Sequence, residues 1–569
     1  MSDWKIFDDR GTKRLTSKID EDGVIRGKGK KAKIYRSFFL IYVDFKKGLF
    51  DICESGAFIK RQLTLSQFLK EIDDIQTIIR KKRRSNTRVR IYVSQIEVLL
   101  NLLKDYTIVL KHDTVMSESS RPTWARTDCF EICDFAVLRD SAPQSIDDMI
   151  KFFNIAFKDT YISKIKFSEA ANSVMFFYRG LEQECHDDRN FCHRYIKSID
   201  EWKDLRSGTT KGLHYAVDDF FGKILEGVTS FDKKSAYPSI FVSYDKFPIG
   251  EIHSTEVMKW KRFNRCIDGD KWFQIVFIDA PKVGCLDDLK IKAKDAMLAI
   301  NNLDYTYLCK TGRKDEVLDA LKKYRWRIYY TTKEGYLLDS FRKHIVDVYD
   351  EKEKSTDPEW RRYYKKQIDI LYGKGVEMLQ FESDDQVKQY YRDGKHYIMP
   401  HWSRLVVSKL RLDLLEAIEM IYEASGKIVA YNTDGLKIEK DCEKINNVFD
   451  ELNREIVERN RAAGFDSDIG TWKKEYVADR FLQIDKVRYA YIVDGQLHTA
   501  VGGIPKNWFL DFLTSLDCDP LKWLMFPHLL EVPFGWKLDK STKTYVPVIV
   551  KDFMYRPLTF DIQQGFYIK

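Results

Sequence analysis

With 569 residues the chain is too long for a single hydrophobic core, and three or more packed units are expected. A hydrophobic share of 44% with 14% aromatics excludes a disordered chain, while no run approaches the roughly 20 apolar residues that a membrane helix needs. The excess of 95 Lys and Arg over 87 Asp and Glu, a formal +8, is a mild bias towards polyanions such as nucleic acid.

In chain order, residues 1–33 are a loose basic lead-in containing GKGKKAK. Its start, MSDWKIFDDRGTKRL, has no apolar signal core, so a cytoplasmic protein without membrane contact is expected. From Ile34 to about Ile96, strand-like runs (IYRSFFLIYVDF, LFDICES, VRIYVSQI) surround one helical pattern, LSQFLKEIDDIQTIIRKKRR. Their Ile, Val, Tyr and Phe content predicts an α/β layer around a central sheet. The run RKKRR at 80–84 either touches phosphate or is a solvated helix end. Residues 141–225 read as helical. Within them Cys185-His186 and Cys192-His193 repeat at a spacing of seven, but adjacent Cys-His steps point to different faces and Asp187, Asp188 and Arg189 intervene. Core or surface residues are therefore favoured over a zinc site, and ten cysteines without a CxxC pair argue against a zinc ribbon. From Val228 to about 515 short strands alternate with long amphipathic helices, and a strand-rich tail follows. No linker or repeat divides the blocks, which predicts lobes of one enzyme.

Three segments carry chemistry. VTSFDKKSAYPSI, at 228–240, is an apolar strand ending in Asp232, then a turn, then Ser235, Tyr237 and Pro238. A carboxylate at a strand end beside free backbone N–H groups can hold a divalent metal next to a phosphate chain. In KIVAYNTDGLKIE a second strand, 427–431, runs into an Asn-Thr-Asp-Gly turn carrying Asp434. Two strand-borne carboxylates are what two-metal phosphoryl transfer needs. Between them, RRYYKKQIDILYGK at 361–374 puts Arg361, Lys365 and Tyr372 near one face of a helix. Two cations there suit a triphosphate and the aromatic suits a base or sugar; a solvated basic surface is the plainer reading of that helix alone.

The ordered trio resembles the polymerase motifs of family B DNA polymerases, especially the protein-primed branch of small phages, adenoviruses and linear plasmids. The family's DxxSLYP stands here as Asp232-Lys-Lys-Ser235-Ala-Tyr237-Pro238. Its KxxxNSxYG stands as Lys365-Lys-Gln-Ile-Asp369-Ile-Leu-Tyr372-Gly373, and its YxDTDS as Tyr431-Asn432-Thr433-Asp434-Gly435. The resemblance implies an α/β multidomain right-hand polymerase. Its parts would be an N-terminal RNase H-like exonuclease-type domain (1–205), a palm in two parts (206–244 and 398–515), fingers (342–379) and a thumb (516–569). Two insertions would complete it, one for priming-protein contact (245–341) and one for strand displacement (380–397). It further implies two Mg2+ or Mn2+ ions bridged by Asp232 and Asp434, with the backbone carbonyl of Lys233 as a ligand and Asn432 in the catalytic turn. Ser235, Tyr237, Lys354, Arg361, Lys365 and Tyr372 would bind the nucleotide, with Tyr237 excluding a 2′-hydroxyl. DKVRYAYIV resembles the primer-holding KxY motif, so Lys486 and Tyr489 are implied in primer contact, although Val487 occupies the lysine position. Template and primer DNA, deoxyribonucleoside triphosphates and a priming protein are the implied partners, and a monomer is expected.

Two departures qualify this reading. The exonuclease acids are incomplete: Asp44-Phe45-Lys46 stands where DxE is required, only Glu97 lies near the second slot, and Tyr195 to Asp200 has the wrong spacing. Two-metal hydrolysis cannot be built from one leftover carboxylate, so proofreading is expected to be absent. Asn432 replaces the first Asp of the third motif, and an amide oxygen coordinates a metal without adding charge. An active polymerase is the first expectation. The alternatives are a pseudo-polymerase scaffold that binds DNA or the priming protein and, with less support, a nuclease alone.

Overall fold

The computed structural model describes residues 34–44, 47–54, 59–81, 87–96, 98–99, 124–126, 130–135, 143–156, 196–206, 209–210, 213–255, 271–278, 291–292, 298–331, 333–375, 381–392, 399–440, 443–485, 487–502, 504–539 and 544–557. The chain divides into two compact units. One comprises Met1–Asn172 with Glu531–Lys551, the other Ser173–Leu530 with Asp552–Lys569.

In the first unit the β-branched and aromatic runs form a six-stranded mixed sheet. Its order is Ile59–Leu63, Leu49–Glu54, Ile34–Asp44, Thr87–Val93, Phe130–Asp134, Trp124–Arg126. Ile34–Asp44, Thr87–Val93 and Phe130–Asp134 run parallel; the other pairings are antiparallel. Parallel strands need both faces covered, and the period of two supplies both faces. Ile91 and Val93 join a cluster with Phe68 and Ile72 of the Leu65–Lys81 helix, and Phe50 stacks on Phe68 at 4.3 Å. Tyr92 turns the other way, edge-on to Phe153 of the Ile146–Ala156 helix.

The second unit is built on a five-stranded antiparallel sheet ordered Trp472–Ala478, Val228–Lys233, Gly435–Glu439, Lys427–Asn432, His214–Ala216. Alternation again sorts the side chains. Phe231, Leu436 and Ile438 enter a core with Leu414, Ile421 and Phe449 from the helices Pro400–Glu423 and Glu443–Ala462. Ser230 and Asp232, and opposite them Lys437 and Gly435, therefore fall on the other face. His214–Ala216 lies in the stretch expected to be helical; at three residues it is too short to show alternation, and its pairing with Ala430–Asn432 makes it an edge strand.

Around this sheet stand three groups. A second four-stranded sheet joins Ile224–Leu225, Arg480–Gln483, Tyr489–Val493 and Gln496–Ala500. A third, of Ile252–Thr255, Phe273–Ile278, Leu298–Asn301 and Arg325–Thr331, packs on the helices Asn302–Lys310 and Lys314–Lys323 within the expected first insertion. Helices Asp339–Lys354 and Pro358–Gly375 pack against each other, the second opening on a proline that suits a first helical turn. Among the described residues no helix is long and apolar enough to cross a membrane.

Candidate active site

Asp232 and Asp434 are far apart in sequence and adjacent in space because their strands pair. Asp232 lies opposite Gly435 in the register, and the Lys233 N–H donates to the Asp434 carbonyl at 3.0 Å. The turn holding Asp434 is fixed from several sides. The Thr433 N–H donates to the Leu213 carbonyl at 2.7 Å, and the Asp434 N–H to that of Asn432 at 2.6 Å. Thr433 takes a left-handed φ of 56°, and its hydroxyl donates to Asn432 Oδ1 at 3.1 Å. Gly435 packs closely on Asp232, whose Oδ1 would stand in ordinary contact, at 3.4 Å, with a Cβ placed there.

Both half-buried carboxylates sit above the usual carboxylate range. For Asp232, burial is the main cause, reinforced by Asp434 and Glu475 and opposed by Lys473 and Lys365. For Asp434, burial again leads; Lys365 opposes it, while Asp369 and Glu475 add to it. Negative charge is thus gathered where solvent cannot stabilise it, the condition a divalent cation relieves. Among the described residues no three His, Cys, Asp or Glu side chains converge as a closed metal cage. Two carboxylates still fit Mg2+, which keeps waters and binds through one or two carboxylates plus substrate phosphates.

After Asp232 the chain turns through Ser235, left-handed at φ 47°, into the helix Ala236–Ser243. Tyr237 on that helix stacks on Tyr372 of Pro358–Gly375, with centroids 4.6 Å apart. The Ser235 hydroxyl accepts a 2.9 Å hydrogen bond from the Lys352 ammonium. Lys352 is 6% exposed, also pairs with Glu353 at 2.9 Å and lies over the Tyr349 ring.

No protein-family model matches the chain, and no curated protein matches it. Solved structures do. Phi29 DNA polymerase complexed with primer-template DNA, a post-translocation binary complex, aligns with a TM-score of 0.55 and 12% identity over 90% of this chain and 99% of that one. The phi29 ternary complex with primer-template DNA and incoming nucleotide substrates aligns with a TM-score of 0.56 and 12% identity, over 91% and 99%. The chain has the fold of phi29 DNA polymerase.

Within this phi29-like fold the remaining sequence candidates separate. Lys365 is exposed and has no ion pair among the described residues, and its charge acts on both Asp232 and Asp434. One helical turn on, Asp369 is half-buried and raised above the usual carboxylate range by burial, against the pull of Lys365 and Lys352. Arg361 is half-exposed and bonded to Glu353 at 2.8 Å. Lys354 is exposed and pairs with Glu351, on the far side of its helix from Lys352. Sequence reasoning therefore missed Lys352. Its signal was the spacing Ile345, Val348, Tyr349, Lys352, all buried on one helix face, where a lysine in the apolar stripe stands out.

The Lys233 side chain is turned away into a buried pair with Asp413 at 2.7 Å, which leaves only its backbone for the site. Tyr489 is half-buried, with the Lys437 ammonium 4.3 Å from its ring centre. Its pKa is pushed up to about 12 by burial, Tyr491, Glu475 and Asp232. Neither Lys437 nor Glu475 was singled out in the sequence. Val487 is exposed, and Arg488 is engaged by Asp485 and the Arg556 carbonyl. Lys486 lies outside the described residues, as do Cys185, His186, Cys192, His193, Lys46, Glu97, Tyr195 and residues 82–84. Asp44 ends its strand paired with Lys47 at 3.4 Å, and Asp200 is exposed near the start of the helix Ile199–Arg206.

Proposed function

We propose that the chain is a template-directed DNA polymerase of the family B, protein-primed type. The observation that carries this reading is the pair Asp232 and Asp434, brought together by the pairing of Val228–Lys233 with Gly435–Glu439 and pushed up by burial and neighbouring carboxylates, in a fold like that of phi29 DNA polymerase. Asp232, Asp434 and the Lys233 carbonyl would hold two divalent ions, Mg2+ or Mn2+. When bound, such ions lower the pKa of an attacking hydroxyl and neutralise charge on a leaving pyrophosphate.

The protein's own groups do the rest. Lys365 and Lys352 bring positive charge to the triphosphate, with Arg361 and Lys354 as outer cations that must first leave their glutamate partners. The Tyr237–Tyr372 stack forms the wall beneath the sugar and base, and its bulk rejects a 2′-hydroxyl. Lys486 and Tyr489, by their likeness to the KxY motif, would contact the primer strand. The first unit, in whose sequence Lys46 takes the place of the glutamate in DxE, acts as a folded clamp without 3′–5′ exonuclease activity. Strand displacement, contact with a priming protein, a monomeric state and a cytoplasmic site of action complete the reading. Extension of a labelled primer on a single-stranded template with Mg2+ or Mn2+ tests it. Extension lost in Asp232→Ala and Asp434→Ala, with DNA binding retained, is expected; full extension in either variant overturns it.

One observation favours a second reading. Asn432 leaves the site one charge short, and its amide oxygen is occupied by the Thr433 hydroxyl. A scaffold that binds DNA without extending it would then bind the same duplex and add no nucleotide with either metal.

A further inference from the structure

Lys437 is a cation that the reading above leaves unused. It lies on the Gly435–Glu439 strand, opposite Ser230 and on the same face as Asp232. It is 5% exposed, yet its ammonium has no hydrogen bond or ion pair among the described residues. Its close contact is the face of Tyr489, and its charge is felt across a gap by Glu475, Asp232 and Asp434. A largely desolvated ammonium is costly unless an anion completes it, and these carboxylates stand beyond pairing distance.

The ligand that fits is a phosphate ester. Lysine binds phosphate as a compact point charge, and the tyrosine face beside it offers an apolar wall for a sugar. Two sources carry such a group here, the incoming nucleotide and the strand being extended. The cations Lys352 and Lys365 stand on the helices beside Ser235 and Asp369, whereas Lys437 and Tyr489 stand on strands of two different sheets, with the Lys437 ammonium over the Tyr489 ring. We propose that Lys437 contacts the terminal phosphodiester of the primer strand, with Tyr489 as the wall of that subsite. This rests on the polymerase reading. It also supplies a cation from a different strand where the 486–489 segment has Val487, exposed to solvent.

The test is binding of a fluorescein-labelled primer-template duplex, in EDTA and without nucleotide, across a salt series. Lys437→Met is expected to weaken binding and to make the dependence of log K on log salt shallower by about one, the signature of one lost phosphate contact. Lys437→Arg is expected to restore the slope. Should Lys437→Met fail to fold, Lys437→Gln carries the same measurement. An unchanged slope overturns the proposal. So does an unchanged duplex affinity with a raised KM for nucleotide, which would assign the phosphate to the nucleotide. A loss confined to metal binding also overturns it, since Lys437 would then be a counter-ion of the carboxylates. The two readings fail separately: a wild type that extends no primer removes the polymerase function, whereas an unchanged slope removes only this contact.

Discussion

The ring of Tyr237 lies nearly parallel to that of Tyr372, at 19° with 4.6 Å between centroids, so the turn after Asp232 and the helix bearing Lys365 meet through two aromatic faces. Such a pair is worth about 0.5–1.5 kcal/mol beyond the area it buries. Tyr237→Val is expected to raise incorporation of ribonucleotides relative to deoxyribonucleotides, because the wall against a 2′-hydroxyl is removed. Tyr372→Leu should give a smaller rise, by leaving Tyr237 without its backing. Competition assays with paired nucleotides measure both ratios; an unchanged ratio in Tyr237→Val removes Tyr237 from this role.

Burial raises Asp232 and Asp434 above their unfolded pKa values, with Asp434 and Glu475 adding to it at Asp232 and Asp369 and Glu475 at Asp434. The folded state therefore holds protons that the unfolded chain releases above the ordinary carboxylate pKa of about 4. In metal-free buffer their contribution to stability should fall as pH rises from that point. Mg2+ or Mn2+ should raise Tm at neutral pH by binding the folded state, and the rise should shrink in Asp232→Asn and Asp434→Asn. Calorimetry with and without EDTA measures it, and an equal metal-induced shift in the variants would exclude these residues as ligands.

Lys352 and Lys354 offer a direct contrast. Lys352 is buried against Ser235, and Lys354 is exposed beside Glu351. Lys352→Ala should raise the KM for nucleotide severalfold, and Lys354→Ala should change it little. Steady-state primer extension separates them, and the reverse order would put Lys354 at the triphosphate.

Asn432→Asp restores a charge next to the Asp434 turn. Synthesis by the wild type is expected to be slower with Mg2+ than with Mn2+, a softer ion that the same carboxylate and carbonyl oxygens also hold. The substitution should raise the Mg2+ rate. An unchanged rate and an ordinary metal preference would mean that Asn432 serves the turn alone, through its bond with Thr433.

Asp413 has the opposite electrostatics. Burial would push its pKa up, but Lys233, Lys409 and Arg459 outweigh burial and hold it well below the carboxylate range. Its contribution to stability is present above the unfolded pKa of about 4 and lost as pH falls below it. Asp413→Ala should destabilise the protein by about 3–5 kcal/mol, because Lys233 is left buried and unpaired. Denaturant unfolding gives the value, and a loss below 1 kcal/mol would show that water or Lys409 rearranges to compensate.

Much of this was legible in the sequence where local pattern and chemistry coincide. The strands ending near Asp232 and Asp434 announce themselves by apolar runs that stop at a carboxylate and a turn. The Pro358–Gly375 helix follows from the spacing of Arg361, Lys365 and Tyr372. The rest depends on partners distant in sequence. The His214–Ala216 strand exists only because Ala430–Asn432 pairs with it. Lys352 and Lys354 differ by half a helical turn, which a charge count does not distinguish. Lys437 reads as an ordinary alternating strand residue until Tyr489 is brought over it.

The register that joins Asp232 to Gly435 also fixes when the centre can come into being. Val228–Lys233 leaves the ribosome early, whereas its two neighbours, Gly435–Glu439 and Trp472–Ala478, emerge only after the intervening helices and sheet. Pairing over such a separation is slow and must wait for both flanks. A nascent chain shorter than about residue 478 thus lacks the strand that completes the sheet around Asp232. The sheet that holds Asp232 is complete only once residue 478 has been made.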